Sequence, residues 1–77
     1  MLARVKALRL AAGMDQKELA KVAGWHNTNW CSLEQGRARL PKARQERVAE
    51  HFGVPAEMLF TDKGEVRPVT REELVSA

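Results

Sequence analysis

The sequence predicts an all-α fold, a compact domain of five helices, from three observations. Apolar residues recur at three- and four-residue spacing along most of the chain, as they do on the buried face of a helix. Glycines, which tolerate the left-handed conformation at helix ends, follow four of these segments, at Gly13, Gly24, Gly36 and Gly53. The chain has 77 residues, and a domain this small hides only about 60% of its unfolded surface, so it can build one core.

The first predicted helix covers residues 2–12. Its apolar positions are three or four residues apart and share one face; they are Leu2, Val5, Leu8 and Ala12. The second covers residues 16–23, and Asp15 can act as its N-cap. Glu18, three residues later, completes the spacing of a capping box. The inward face of this helix carries Leu19, Ala20 and Ala23.

The third predicted helix covers residues 27–35 and has two contrasting faces. At 3.6 residues per turn, one face carries Trp30, Leu33 and the stem of Glu34. The opposite face carries Thr28, Cys31 and Ser32, with Asn27 and Asn29 at its margins. We therefore expect the first face to pack and the polar face to remain free.

Two further helices complete the predicted domain, which we place at residues 1–60. Pro41 suits the first turn of helix four, whose inward stripe is Val48, Ala49 and Phe52. Pro55 opens the short helix five, in which Ala56, Leu59 and Phe60 close the core.

Residues 61–77 form a predicted C-terminal extension, for which we expect a role in dimerisation. A turn is predicted at residues 61–64 and an extended segment at 65–69. Thr70 and Glu73 have capping-box spacing for a last short helix. The alternative interpretation is a solvated tail, because chain ends are often disordered unless something holds them.

Charge favours a polyanionic partner. Thirteen Lys and Arg against ten Asp and Glu give a net charge of +3. Residues 35–44 include no acid and four basic residues, Arg37, Arg39, Lys42 and Arg44. Concentrated positive charge attracts nucleic acid or an anionic membrane surface. A solvated loop is the alternative, since short basic runs are common on protein surfaces.

The sequence favours a cytoplasmic protein. A single cysteine, Cys31, cannot form an internal disulfide, which fits a reducing compartment. The first ten residues alternate charged with apolar side chains, unlike a signal peptide. No stretch approaches the roughly 20 apolar residues that span a bilayer. We expect no cofactor, metal or small-molecule ligand.

Residues 16–36 have the residue types expected of two helices that form a rigid wedge able to enter a DNA groove. Two short helices meet at a glycine turn, and an α-helix fits the major groove of B-DNA, which is about 12 Å wide. Ala20 is small enough for a close helix crossing, and Trp30 and Leu33 hold the second helix in place. The short donors and acceptors Asn27, Thr28 and Ser32 face outward and can reach base edges.

At these residues the chain resembles the helix-turn-helix family of phage repressors, Cro proteins and related bacterial regulators. The resemblance covers roughly residues 5–60 and rests on several blocks in order. These are LR at residues 8–9, GMDQKELA at 13–20, Gly24, LEQG at 33–36, and FGV followed by MLF at 52–60.

The resemblance implies roles at the matching positions. Base-edge contacts are implied for Asn27 and Thr28, for Ser32 one turn later, and for His26 at the margin. Phosphate contacts are implied for Gln16, Asn29, Gln35, Arg37, Arg39 and Lys42. Gln16 is also expected to support helix three. Arg9 and Glu34 lie where the family commonly has a partly buried ion pair between helices one and three.

The chain departs from the family pattern at several places. Trp30 stands where Ile or Val is usual, and we infer that the small Ala23 makes room for it. Trp30 is therefore expected in the core rather than stacked on a base. His26 replaces the usual Ser or Thr cap. Lys42 and Gln45 stand where helix four is usually apolar. We expect two residues to substitute there, Leu40 and Ala43.

Four other kinds of site or function fit the sequence less well. Cys31 with His26 or His51 lacks an acidic third member and an oxyanion loop, so an enzyme is not expected. Two histidines and one cysteine lack metal-ligand spacing. A protein-interaction module would expose apolar residues where this chain has Asn27 and Thr28. A membrane-surface role would need a large exposed apolar helix face.

We therefore expect a sequence-specific transcriptional regulator, a repressor, that binds a palindromic duplex operator as a homodimer through residues 54–77. Family members of this geometry bind half-sites about 34 Å apart. An antitoxin or a restriction-modification controller with the same DNA-binding mode is the alternative, as is an interaction module that keeps the fold.

Overall fold

The computed structural model describes residues 2–70 and confirms the all-α prediction. The helices in this part of the chain are α1 (Arg4–Ala11), α2 (Gln16–Ala23), α3 (Asn27–Glu34), α4 (Lys42–Phe52) and α5 (Ala56–Leu59). Two isolated antiparallel bridges, Ala3 to Pro68 and Phe60 to Val66, join extended segments of the described chain. The core lies where α2 packs against both α3 and α4, and α5 closes it from the side of α4.

α1 is shorter than predicted, and one of its proposed inward residues is exposed. The helix ends at Ala11, and Ala12 is its exposed C-cap. The buried face instead runs from Val5 to Arg9, since residues four apart lie on one face. Gly13, at φ +70°, then turns the chain out of the helix.

α2 has the caps that the sequence predicts. The Asp15 carboxylate accepts the Glu18 N–H at 2.7 Å, and the Glu18 carboxylate accepts the Asp15 N–H at 3.0 Å. Both halves of the capping box are therefore present. Gly24 ends the helix in the left-handed conformation, at φ +71°.

The core is mainly aliphatic around one tryptophan. Trp30 has no exposed surface, as the predicted core position requires. The other large, fully buried side chains are Phe60, Leu19, Leu33, Leu40, Leu59, Val5 and Val48. Ala20 and Ala23 are buried as well, and their small side chains fit the inference that α2 leaves room for the indole ring.

α4 begins at Lys42, with Pro41 as its N-cap residue. Of the two proposed substitutes for apolar residues there, Leu40 is buried and Ala43 is exposed, so the prediction for Ala43 is wrong. The buried position near the start of α4 is instead occupied by Gln45, which is 8% exposed and donates its Nε2–H to the Leu40 carbonyl at 2.7 Å. This hydrogen bond lets a polar side chain enter the core margin.

Residues 61–70 pack against the domain. The predicted turn is closed by the Gly64 N–H donating to the Thr61 carbonyl at 2.9 Å. Val66 in the following extended segment is 6% exposed. The Arg4 N–H donates to the Arg67 carbonyl at 2.8 Å, which ties the segment to the start of α1. The alternative of a solvated tail is therefore wrong for residues 61–70. The predicted last helix, which would follow Thr70, lies outside the described residues.

Arg9 and Glu34 form the centre of a buried polar cluster. Arg9 Nε lies 2.8 Å from Glu34 Oε2, and Arg9 Nη2 lies 3.1 Å from Glu34 Oε1. The same carboxylate accepts the Trp30 indole N–H at 2.7 Å and the Gln16 amide N–H at 3.0 Å. Arg9 Nη1 donates to the Met14 carbonyl at 2.8 Å. One carboxylate therefore joins α1, α2 and α3.

Burial alone would raise the pKa of the Glu34 carboxyl, but hydrogen bonds from Arg9, Gln16 and Trp30 outweigh it and lower the pKa below the ordinary value of 4.5. A carboxyl whose pKa is lower in the folded state than in the unfolded chain stabilises the fold above its unfolded pKa, which is about 4.3. That stabilisation is lost as the pH falls through the folded pKa.

We predict that Glu34→Gln lowers the free energy of unfolding by about 3–5 kcal/mol at pH 7, because it leaves the Arg9 charge buried without its partner. Glu50→Gln is the matched control, since Glu50 is exposed on α4, and it should change stability by less than about 0.5 kcal/mol. Urea unfolding measures both. As the pH falls through the lowered folded pKa of Glu34, the wild-type protein should lose its advantage over Glu34→Gln, and parallel pH profiles would contradict this assignment.

Candidate nucleic-acid interface

α2, the turn and α3 form the unit that presents the proposed reading face. Gly24 reverses the chain direction, and the following Trp25 N–H returns to the Ala20 carbonyl at 2.8 Å. α3 then buries Trp30, Leu33 and Glu34 on its inner face. Thr28, which lies on the opposite face of α3, is exposed.

The side chains proposed to read bases share this end of α3. Asn27 and Thr28 are exposed in the first turn, and His26 is exposed at the N-cap, where it makes no capping hydrogen bond. Ser32 is half-buried one turn later, and its hydroxyl donates to the Thr28 carbonyl over 3.4 Å. The structure therefore gathers the four residues on one helix and its entrance.

The side chains proposed to bind phosphate are more dispersed. Asn29 and Gln35 are exposed at the edge and end of α3, and Arg37 and Arg39 are exposed in the loop after it. Lys42, at the start of α4, lines a separate cavity of about 260 Å³ that also includes residues of α5 and the 60–67 segment.

The Gln16 side chain is less exposed than we expected for a residue that contacts phosphate. It is half-buried, and its Nε2–H donates to Glu34 Oε1 at 3.0 Å. This contact links the start of α2 to the end of α3, which corresponds to the supporting role expected of Gln16. One amide hydrogen and the amide oxygen remain for other partners.

Arg44 has a role that the sequence did not indicate. Its Nη1–H donates to the Gly24 carbonyl at 2.7 Å and to the Ala23 carbonyl at 3.1 Å. The last carbonyls of a helix lack partners within the helix, and here a side chain from α4 supplies them. In the sequence Arg44 is one of four basic residues in an acid-free stretch, and only the fold distinguishes it from the others.

Arg44 thus connects α4 to the turn that sets the direction of α3. The approach is close, since a Cβ atom on Gly24 would lie 2.5 Å from Arg44 Nη1 and 2.8 Å from Arg47 Nη1. Gly24 is therefore favoured by its left-handed conformation, and a Cβ there would also oblige these two guanidinium groups to move.

We predict that Gly24→Ala destabilises the protein by about 1–2 kcal/mol more than Gly13→Ala. Both changes carry the cost of a left-handed alanine, about 1–2 kcal/mol, but a Cβ on Gly13 would meet nothing within 4 Å. Only Gly24→Ala displaces Arg44 from the two carbonyls, which removes charge-assisted hydrogen bonds. Urea unfolding measures the difference. The excess should vanish in an Arg44→Ala background, and equal costs in the wild-type background would refute the Arg44 contribution.

Among residues 2–70 no group of His, Cys, Asp and Glu side chains is arranged to hold a metal ion. Cys31 is a half-buried free thiol, 3.6 Å from the Gln35 amide nitrogen. No helix in the described region is both long and apolar enough to cross a membrane.

Comparison with known protein families gives a match over most of the chain. A family model described as a helix-turn-helix domain matches residues 1–59, which is most of the 77-residue chain. The matched region includes the five helices found within residues 2–70. No curated protein and no solved structure matches the chain.

Proposed function

Because the chain belongs to the helix-turn-helix domain family, we propose that it binds double-stranded DNA in a sequence-specific manner and regulates transcription as a repressor. The observation that carries the proposal is the asymmetry of α3. Its inner face is fixed by Trp30, Leu33 and Glu34, whereas Asn27 and Thr28 stay exposed.

α3 is the element that we propose to lie in the major groove. A helix with side chains is about 10–12 Å across, close to the width of that groove. Asn27 and Thr28 contact base edges in its first turn, where recognition helices commonly make such contacts. Ser32 extends the contacts by one turn, and His26 borders them.

Phosphate contacts hold this helix in register. Arg37 and Arg39 leave the end of α3 with exposed side chains, and neither forms an ion pair within residues 2–70. Asn29 and Gln35 add neutral donors beside them. Gln16 uses its remaining amide hydrogen, and Lys42 contributes from the start of α4.

We predict that Asn27→Ala or Thr28→Ala costs about 1–3 kcal/mol on the preferred duplex and relaxes the preference at one base pair. Asn29→Ala is the contrasting variant, since it should weaken binding to all sequences alike. Selection from random duplex DNA, followed by affinity measurements on preferred and scrambled sites, tests both. An unchanged selected sequence for both Asn27→Ala and Thr28→Ala would contradict the reading role.

We predict that Arg39→Ala weakens binding to every duplex and reduces the slope of log affinity against log salt by about 0.9, the value for one phosphate contact. Lys6→Ala removes the same charge from α1 and should leave the slope unchanged. Fluorescence anisotropy titrations over a range of salt concentrations measure both slopes. Equal slopes for Arg39→Ala and wild type would refute the phosphate contact.

A homodimer formed through residues 54–77 completes the proposal, because two-fold symmetry places two α3 helices on half-sites about 34 Å apart. Met58 on α5 supports this choice, since its apolar side chain is 45% exposed. Sedimentation velocity at micromolar concentration should show a dimer on duplex DNA. Only monomer, with and without DNA, would defeat this part of the proposal.

A further inference from the structure

The cavity of about 260 Å³ lies where α4, α5 and residues 60–67 meet, and we refer to it as the α4–α5 cavity. The polar side chains that line it are Lys42, Gln45, Glu57, Thr61, Asp62 and Arg67. No ligand was expected from the sequence, since these residues meet only in the fold.

Gln45 brings a free hydrogen-bond acceptor to this cavity. Its side chain is held by the bond from Nε2 to the Leu40 carbonyl at 2.7 Å, and only 8% of the residue is exposed. The amide oxygen Oε1 accepts no hydrogen bond within residues 2–70. Buried polar atoms are usually paired, and a donor bound in the cavity would pair this one.

Arg67 and Thr61 bring donors that are fixed in the same way. Arg67 is half-buried and donates its Nε–H to the Glu57 carbonyl at 2.6 Å. Both of its Nη groups are left without an acceptor in the described chain. The Thr61 hydroxyl oxygen accepts the N–H groups of Lys63 and Glu65 at 3.3 and 3.2 Å, so its own hydrogen remains to donate. Side chains that are already held lose little freedom when a ligand binds.

The charges around the cavity favour a ligand that carries both signs. Lys42 and Arg67 are cationic, and Glu57 and Asp62 are anionic. None of the four forms an ion pair within residues 2–70. A simple anion such as phosphate would meet two carboxylates, and a polyamine would meet two cations. A zwitterion is complementary to both pairs.

We propose that the α4–α5 cavity binds a free α-amino acid. Its carboxylate accepts the two Nη groups of Arg67, in the bidentate pairing common for guanidinium and carboxylate, and the hydroxyl hydrogen of Thr61. Its ammonium group donates to Gln45 Oε1 and lies beside the carboxylates of Glu57 and Asp62.

The volume of the cavity limits the ligand to a small member of this class. It equals the volume of about nine water molecules at about 30 Å³ each, so a nucleotide is too large. Ala56 and Phe60 supply the apolar part of the lining, against which a short side chain can pack. Lys42 is the one lining residue that is also a proposed phosphate contact, so this inference does not depend on DNA binding.

The test titrates the common L-α-amino acids, one at a time, into the whole chain by isothermal titration calorimetry. At least one should bind at millimolar concentration or below. The amine that lacks its carboxylate and the acid that lacks its amino group should each bind at least tenfold more weakly, roughly the loss expected for one charge-assisted hydrogen bond.

A matched pair of variants and a measurement on the wild-type protein locate the site. Arg67→Gln should weaken binding of that amino acid about tenfold or more. Arg47→Gln removes the same charge from the exposed face of α4, outside the cavity, and should bind as wild type does. In NMR spectra of the isotope-labelled wild-type protein, the side-chain amide of Gln45 should shift when the amino acid is added. The side-chain amide of Gln16, which is bound to Glu34, should not.

The anionic side of the cavity is tested by Glu57→Gln/Asp62→Asn, which should also weaken binding about tenfold or more. Glu46→Gln/Glu50→Gln removes two exposed acids of α4 that do not line the cavity, and its affinity should equal that of wild type. Urea midpoints check that each variant is folded.

A wild-type protein that binds none of the amino acids at millimolar concentration overturns the proposal. Equal binding of the amine or of the acid overturns the requirement for a zwitterion and with it the proposal. Affinity that is unchanged in either cavity variant, or an unshifted Gln45 amide, places the ligand elsewhere and overturns it as well. DNA binding is measured without any amino acid, so its failure would defeat the proposed function and leave this inference standing.

Discussion

The position of α3 depends on the carboxylate of Glu34, which accepts hydrogen bonds from Arg9 on α1, Gln16 on α2 and Trp30 on α3 itself. The bonds from Arg9 and Gln16 tie two other helices to α3, and the bond from Trp30 lies within α3. Because the carboxylate is buried, removal of a partner would leave a charge or a donor in a poorly solvating interior. The cluster thus favours one arrangement of three helices, which an aliphatic contact alone would specify less strictly.

The opposite end of α3 is fixed by a different device. Arg44 satisfies the last carbonyls of α2 at the turn, so α4 holds the entrance of α3 while Glu34 holds its exit. The inner face of α3 therefore has its polar groups paired within the protein. This leaves the exposed side chains of Asn27 and Thr28 free for an external partner, as a reading face requires.

The parts of the fold that the sequence could predict are those set by local rules. Apolar periodicity, glycines and capping residues predicted the five helices of the described chain. The capping box at Asp15 could be predicted from four consecutive residues alone. The faces of α3 followed from 3.6-residue geometry. Ala12 and Ala43 were predicted to face the core, but both are exposed. Ala12 lies at the end of α1, and near Ala43 the buried position is taken by the polar Gln45. In both places, contacts with other parts of the chain decide which residue is buried.

The candidate site was predictable to a smaller extent for the same reason. The polar run at Asn27, Thr28 and Ser32 is visible in the sequence, whereas the contact of Arg44 with the end of α2 depends on which helix lies opposite. A charge count treats Arg39 and Arg44 alike. Only tertiary contacts reveal that one is exposed to solvent and the other caps a helix.

The pairing of residues 67–69 with residues 2–4 has a consequence for how the protein assembles. The Val69 N–H donates to the Leu2 carbonyl at 2.7 Å and the Arg4 N–H to the Arg67 carbonyl, so these contacts join segments more than sixty residues apart in sequence. Such contacts form only after a long loop has closed. The helices α2, α3 and α4 can therefore associate through contacts that are nearer in sequence before residues 67–69 pair with the start of α1.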